Sequence, residues 1–275
     1  MRNHITLILA FLLSLSFKAH AINPDKNYNL TPSEIGWDYE ELRIKTTDNQ
    51  ELNTWVYAPN PAVDRQTILI LASHDYGNMS YFVYHAATLA NRGFTVVTFD
   101  YRGFGKSSDF EINRSNIYYL EFSKDLAAVV NEISKKFSGK KVGVWGLSMG
   151  TIVASKAYPE IKGKIDFMVG DGFVTDTAYI VDRYRTRGKD LVLPEPAPAY
   201  AQSVAQIEIP LLIFAASKDE ITTTSDALEL KEKLGKTCEI VEYEGEHLQG
   251  FQYKIDEKGF GMWYVAQLNN FISGI

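Results

Sequence analysis

Near the middle of the chain, Gly146-Leu147-Ser148-Met149-Gly150 sets a serine between two glycines. The apolar run Lys141-Val142-Gly143-Val144-Trp145 leads into it, and Thr151 to Ala157, of helix-like composition, follows it. On a sharp turn from strand to helix a serine hydroxyl projects above the sheet, and the flanking glycines let neighbouring backbone approach. That hydroxyl is a weak nucleophile at neutral pH. It needs a base within hydrogen-bond reach, and the base needs a carboxylate to hold its tautomer. Five histidines are available. His4 and His20 fall in the leader-like start, and His74 and His85 both precede Ser148. His247, in the loop after Cys238 to Tyr243, is the predicted base, because an acid and then a histidine from later strand ends complete such a site.

Two carboxylates compete to orient His247. Asp219 follows the run Pro210 to Ala215 in the polar turn Ser217-Lys218-Asp219-Glu220, just before a helix start at Thr222 to Asp226. Asp171 lies between Gly170 and Gly172, where a turn role is the simpler account. Asp219 is the favoured acid, with Asp171 as its rival. A tetrahedral oxyanion also needs two backbone N–H donors. The Met149 amide, directly after the nucleophile, is one. The loop His74-Asp75-Tyr76-Gly77-Asn78, after the run Thr67 to Ser73, offers the Tyr76 amide as the other.

Residues so far apart meet only if strand ends gather them. Tyr39 to Lys45 and Leu52 to Tyr57 alternate apolar and polar around Thr47-Asp48-Asn49-Gln50 and read as a hairpin. Thr67 to Ser73 is continuously apolar, as a strand covered on both faces is. Further strand candidates are Thr95 to Phe99, Lys141 to Trp145, Phe167 to Gly170, Pro210 to Ala215 and Cys238 to Tyr243. Phe122, Leu126, Val129, Val130 and Ile133 recur at helical spacing and predict a helix ending near Phe137. This alternation predicts an α/β fold, a mostly parallel central sheet with helices on both faces, filling one domain over residues 38–275. The stretch 174–204 breaks the alternation and carries Pro194, Pro196 and Pro198, so it reads as a short lid insertion.

Arg2, the apolar run Ile5 to Phe17 and Ala19-His20-Ala21 together read as a signal peptide over residues 1–21. The run is shorter than the roughly 20 residues a bilayer span needs. The expected product is therefore exported, periplasmic or secreted, with no stable membrane insertion after signal removal; an uncleaved anchor is the alternative. Removing Arg2 and Lys18 takes the formal charge from −6 to −8. Residues 22–37, polar and holding Pro24 and Pro32, read as an N-terminal tether. Asn78-Met79-Ser80 is a formal glycan acceptor, but a sugar there would crowd the Tyr76 loop, which favours a bacterial origin.

Composition narrows the class. With 45% hydrophobic and 13% aromatic residues the chain can fill a large core. A formal charge of −6 argues against nucleic acid, whose phosphates call for clustered Lys and Arg. Cys238 is the one cysteine, so no internal disulfide can form, and its strand-like setting predicts a packed thiol. Nothing calls for a cofactor or a metal, and the expected partner is a small-molecule acyl substrate.

Ser73 to Asn78, Phe99-Asp100-Tyr101-Arg102-Gly103-Phe104-Gly105-Lys106-Ser107, Gly146 to Gly150, Asp219 and Gly245-Glu246-His247 together resemble the α/β-hydrolase superfamily over roughly residues 38–274. Within it the chain is similar to the serine-aminopeptidase-like and lipase-like group. The resemblance implies the α/β-hydrolase fold, with Asp100 and Arg102 bracing loops rather than catalysing. The usual glycine after the loop histidine is Asp75 here, a departure that bears on the oxyanion geometry. The insertion faces substrate in this fold, and Arg183, Arg185, Arg187 and Lys189 give it a basic run, read as a solvated face or as a contact for an anionic substrate. Three functions fit: a serine hydrolase acting on an ester, thioester or amide; an acyltransferase with the same residues; or a binding protein on a decayed hydrolase fold.

Overall fold

The computed structural model describes residues 21–275, so the leader expected over 1–21 lies outside the described residues except for Ala21. In chain order the elements are β1 (Asn23–Pro24), β2 (Tyr39–Lys45), β3 (Glu51–Tyr57), β4 (Thr67–Ala72), β5 (Tyr76–Gly77), α1 (Val83–Asn91), β6 (Phe94–Phe99), α2 (Tyr119–Lys136), β7 (Lys141–Leu147), α3 (Met149–Ile161), β8 (Phe167–Asp171), α4 (Thr177–Thr186), α5 (Ala197–Ala205), β9 (Leu211–Ala216), α6 (Thr224–Leu234), β10 (Cys238–Tyr243), α7 (Ile255–Lys258) and α8 (Met262–Ser273).

Eight strands form the main sheet in the order β10-β9-β8-β7-β4-β6-β3-β2. It is parallel except where β3 pairs antiparallel with β2 and β6, so the alternating hairpin forms one margin. All six residues of β4 are buried, and its alternation sends them to two cores. Ile68, Ile70 and Ala72 join the core that holds Phe122 and Leu126 of α2, Ile152 of α3 and Ala227 of α6. Leu69 and Leu71 join the other, with Leu89 of α1 and Leu268 of α8. Helices therefore cover both faces. The α2 stripe read from spacing, Phe122 through Ile133, is fully buried, and Lys135 and Lys136 sit in its last turn, where the helix dipole favours cations. The insertion forms α4 and α5. Cys238 is buried at the start of β10, and burial pushes its thiol up to about 11.

From β4 the chain moves to β6 on one side and later returns to β7 on the other. That reversal opens a crevice beyond the carboxyl ends of β4 and β7, where doubly wound sheets gather their ligand sites. No helix among the described residues is long and apolar enough to cross a membrane.

The segment expected as a tether over 22–37 is packed instead. Its strand β1 pairs parallel with β5, and the Asp25 amide donates to Gly77 O at 2.8 Å. Asn78 Nδ2 donates to Asp25 O and Asn27 O, and Tyr28 OH donates to Asp100 at 2.5 Å. The polar composition that suggests a tether is used for hydrogen bonds to loops, and a two-residue strand has no periodicity to read.

Candidate active site

Ser148 sits between β7 and α3 at φ 49° and ψ −114°, a backbone conformation that side chains rarely adopt and that costs on the order of 1–3 kcal/mol. The surroundings impose it. The Ser148 amide donates to Asp171 O at 3.0 Å, and Thr151 donates through its amide and Oγ1 to Ser148 O, both at 2.8 Å. Gly150 explains the second motif glycine: a Cβ there would lie 1.8 Å from Ala72 O, because α3 starts directly against β4.

His247 bridges the other two expected residues. Its Nε2 lies 2.9 Å from Ser148 Oγ and its Nδ1 lies 2.7 Å from Asp219 Oδ2. Asp219 also accepts from the amides of Ile221 and Thr222 at 2.8 and 2.9 Å and from Thr222 Oγ1 at 2.6 Å. Burial alone would raise its carboxyl, but the hydrogen bond and charge of His247, with the Thr222 bonds, outweigh that and hold it below the ordinary value. The ionised form is thus the stable one. The imidazole packs on Gly172, at φ +64°, where a Cβ would come 2.7 Å from His247 Cε1.

Asp171, the rival acid, makes no hydrogen bond to His247. Its carboxyl lies 3.4 Å from Tyr243 OH and beside Gly250, and burial pushes it up to about 7, against the opposing pull of His247. Its backbone oxygen, not its side chain, serves the elbow.

Met149 opens α3, where an amide has no partner inside the helix and the dipole favours developing negative charge. The Tyr76 amide differs from expectation: it donates to His74 Nδ1 at 3.0 Å and is not free. Burial, then the charge of His247, pushes the His74 imidazole down to about 4, so it is neutral and can accept that bond. In the same loop the Asp75 amide donates to no other residue among those described. Asp75 lies beside Ser148, its amide turned to its own carboxylate, and burial raises that carboxyl.

Asp100 accepts from the Met79 and Lys106 amides at 2.8 and 3.1 Å, and Arg102 spans Asp48 and Asp125. Both brace the loops around the site. Tyr28, which donates to Asp100 across 72 positions, and the tie from Asn78 to Asn27 O across 51 positions escaped sequence reasoning, since nothing local marks residues that act so far along the chain. The insertion's basic run is mostly paired with acids: Arg183 with Asp226, Arg185 with Asp182 and Arg187 with Glu220, while Lys189 lies over the Tyr184 ring. Such pairing favours the solvated-face reading. Among the described residues no group of three or more His, Cys, Asp or Glu side chains is placed to hold a metal ion.

The family model described as serine aminopeptidase, S33, matches residues 65–172, which carry the loop after β4, the Asp100 to Ser107 loop and the serine elbow. The architecture matches esterase Pf2001 of Pyrococcus furiosus with a TM-score of 0.70 at 20% identity, covering 92% of this chain and 98% of that one. The chain has the fold of the α/β-hydrolases. A Xanthomonas campestris α/β serine hydrolase described as lacking a lid matches this chain at a TM-score of 0.58 and 19% identity, over 84% of this chain and 94% of that one. Among sequence relatives, protein YfhR of Escherichia coli O157:H7 is 26% identical over 254 residues, 90% of this chain and 84% of YfhR. A 31.7 kDa Escherichia coli protein from the traX-finO intergenic region is 30% identical over 98 residues, and the match spans a third of each.

Proposed function

We propose that this α/β-hydrolase cleaves a carboxylic ester, thioester or amide through an acyl-enzyme on Ser148. Ser148 Oγ attacks the carbonyl carbon while its proton passes to His247 Nε2, and the carbonyl electrons move onto oxygen. The Met149 amide receives that oxyanion, and the loop after β4 is the source of the second donor. Collapse of the intermediate breaks the bond to the leaving group, which takes the proton from His247. Water then repeats the sequence on the acyl-enzyme and releases a carboxylic acid. Asp219 keeps the Nδ1 proton in place and stabilises the imidazolium.

The observation that carries this reading is the unbroken path from Asp219 through His247 to Ser148, at 2.7 and 2.9 Å. A fluorophosphonate probe should label Ser148, as peptide mass spectrometry can establish. Ser148→Ala should lose labelling and lower turnover by about 10⁶, the size of nucleophile loss in another serine hydrolase. A variant that keeps a tenth of wild-type turnover removes Ser148 from the role.

A further inference from the structure

Against Ser148 lies a narrow cleft of about 20 Å³. Ser148 and Met149 line it, but His247 does not. The leaving group of an acyl transfer must lie within reach of His247 Nε2, which returns the serine proton to it. A cleft that touches the nucleophile and Met149 but not the base is therefore on the acyl side. Apolar residues wall it, among them Ile117, Ile152, Ile180, Leu191 and Ile221 with Ala21, and no lysine or arginine lines it. That volume holds about one water-sized group, the space of a methyl or a little more.

The walls are tied down. The Ile117 amide donates to Val192 O at 3.0 Å and the Val192 amide to Ser115 O at 2.9 Å, which fixes the Leu191 segment on the loop before α2. Arg183 donates to Ile221 O at 2.8 Å while it pairs with Asp226, joining α4 to the Ile221 turn. Tyr200 OH donates to Val174 O at 2.5 Å, closing α5 against the start of the insertion.

We propose that the acyl group accepted is short and uncharged, acetyl or propionyl, and that Leu191 and Ile221 set its limit. This rests on the hydrolase reading above. A longer chain must displace anchored side chains, and an anionic acyl group meets apolar walls and the Asp75 carboxyl, with no lysine or arginine in the lining itself.

The test is a 4-nitrophenyl ester series from acetyl to decanoyl, with the succinyl monoester, on the full chain, with fluorophosphonate labelling of the same sample. Expected is a fall in kcat/KM of at least about tenfold from acetyl to octanoyl, the scale on which a pocket rejects added methylenes, and a similar loss for succinyl. Leu191→Ala and Ile221→Ala, both at partly exposed positions, should each raise the octanoyl-to-acetyl ratio by about tenfold. Octanoyl turnover equal to acetyl, or a ratio that neither variant moves, overturns the acyl assignment and leaves the hydrolase reading intact. Labelling at Ser148 without turnover of any ester also overturns the assignment. Neither labelling nor turnover overturns the hydrolase reading and this proposal with it.

Discussion

Asp219 and Asp171 show how surroundings assign roles to identical side chains. Three donors besides His247 converge on Asp219, whereas Asp171 is wholly buried with a long contact to Tyr243 and the Gly250 amide. Asp219→Asn should therefore lower kcat by about 10⁴, the cost of the wrong tautomer in a related triad, and Asp171→Asn by far less. A large loss confined to the Asp171 variant would reverse the assignment. Asp171 should instead be visible in stability. Folded, it keeps its proton up to about pH 7; unfolded, it loses it near pH 4. Between those values the folded state binds more protons, so the contribution of Asp171 falls as pH rises, by at most about 1.4 kcal/mol per unit. Denaturation midpoints from pH 4 to 8 should show the Asp171→Asn variant gaining on wild type with rising pH; parallel profiles would contradict this. Ser148, Asp219 and His247 were legible because each stands just past a strand-like run, in an order the chemistry restricts. The bond from the Tyr76 amide to His74 was not, because no motif reveals it.

At the scale of elements, the elbow depends on α3 starting hard against β4. Gly150→Ala puts a Cβ 1.8 Å from Ala72 O, on a strand paired on both sides and unable to retreat. The expected cost is about 1–3 kcal/mol of stability, with loss of turnover as Ser148 is displaced. Gly163→Ala, where nothing lies within 4 Å, serves as the control and should change neither. Thermal unfolding and ester turnover on both variants decide the matter, and a Gly150→Ala protein as stable and active as the control would refute the packing argument. The main strands were legible for the same reason the elbow is rigid. A buried parallel strand such as β4 must be apolar on both faces, and the hairpin must alternate. Strands β1 and β5 fall below that reach, since two residues define neither pattern and their pairing joins positions 53 apart.

The whole molecule joins the start of the described chain to the acyl cleft. Ala21 is buried, donates its amide to Arg114 O at 2.8 Å and forms part of the cleft wall beside Ser148. Ile22 is fully buried behind it, and the Asn23 amide donates to Asp75 O at 2.8 Å, holding the loop that carries Asp75. The leader motif, ending at Ala21, places the expected cut on this wall. A cut there removes one wall residue but spares β1, which starts at Asn23, so the loop should keep its partner while the cleft gains room. A chain beginning at Ile22 should accept acyl groups one or two carbons longer than the chain beginning at Met1, with thermal stability nearly unchanged. The comparison needs the ester series on both forms, and terminal sequencing of protein from the native host shows which form it makes. Identical acyl profiles would remove Ala21 from the wall. A collapse of activity in the shorter form would mean that Ala21 supports the loop itself, through its bond to Arg114 O.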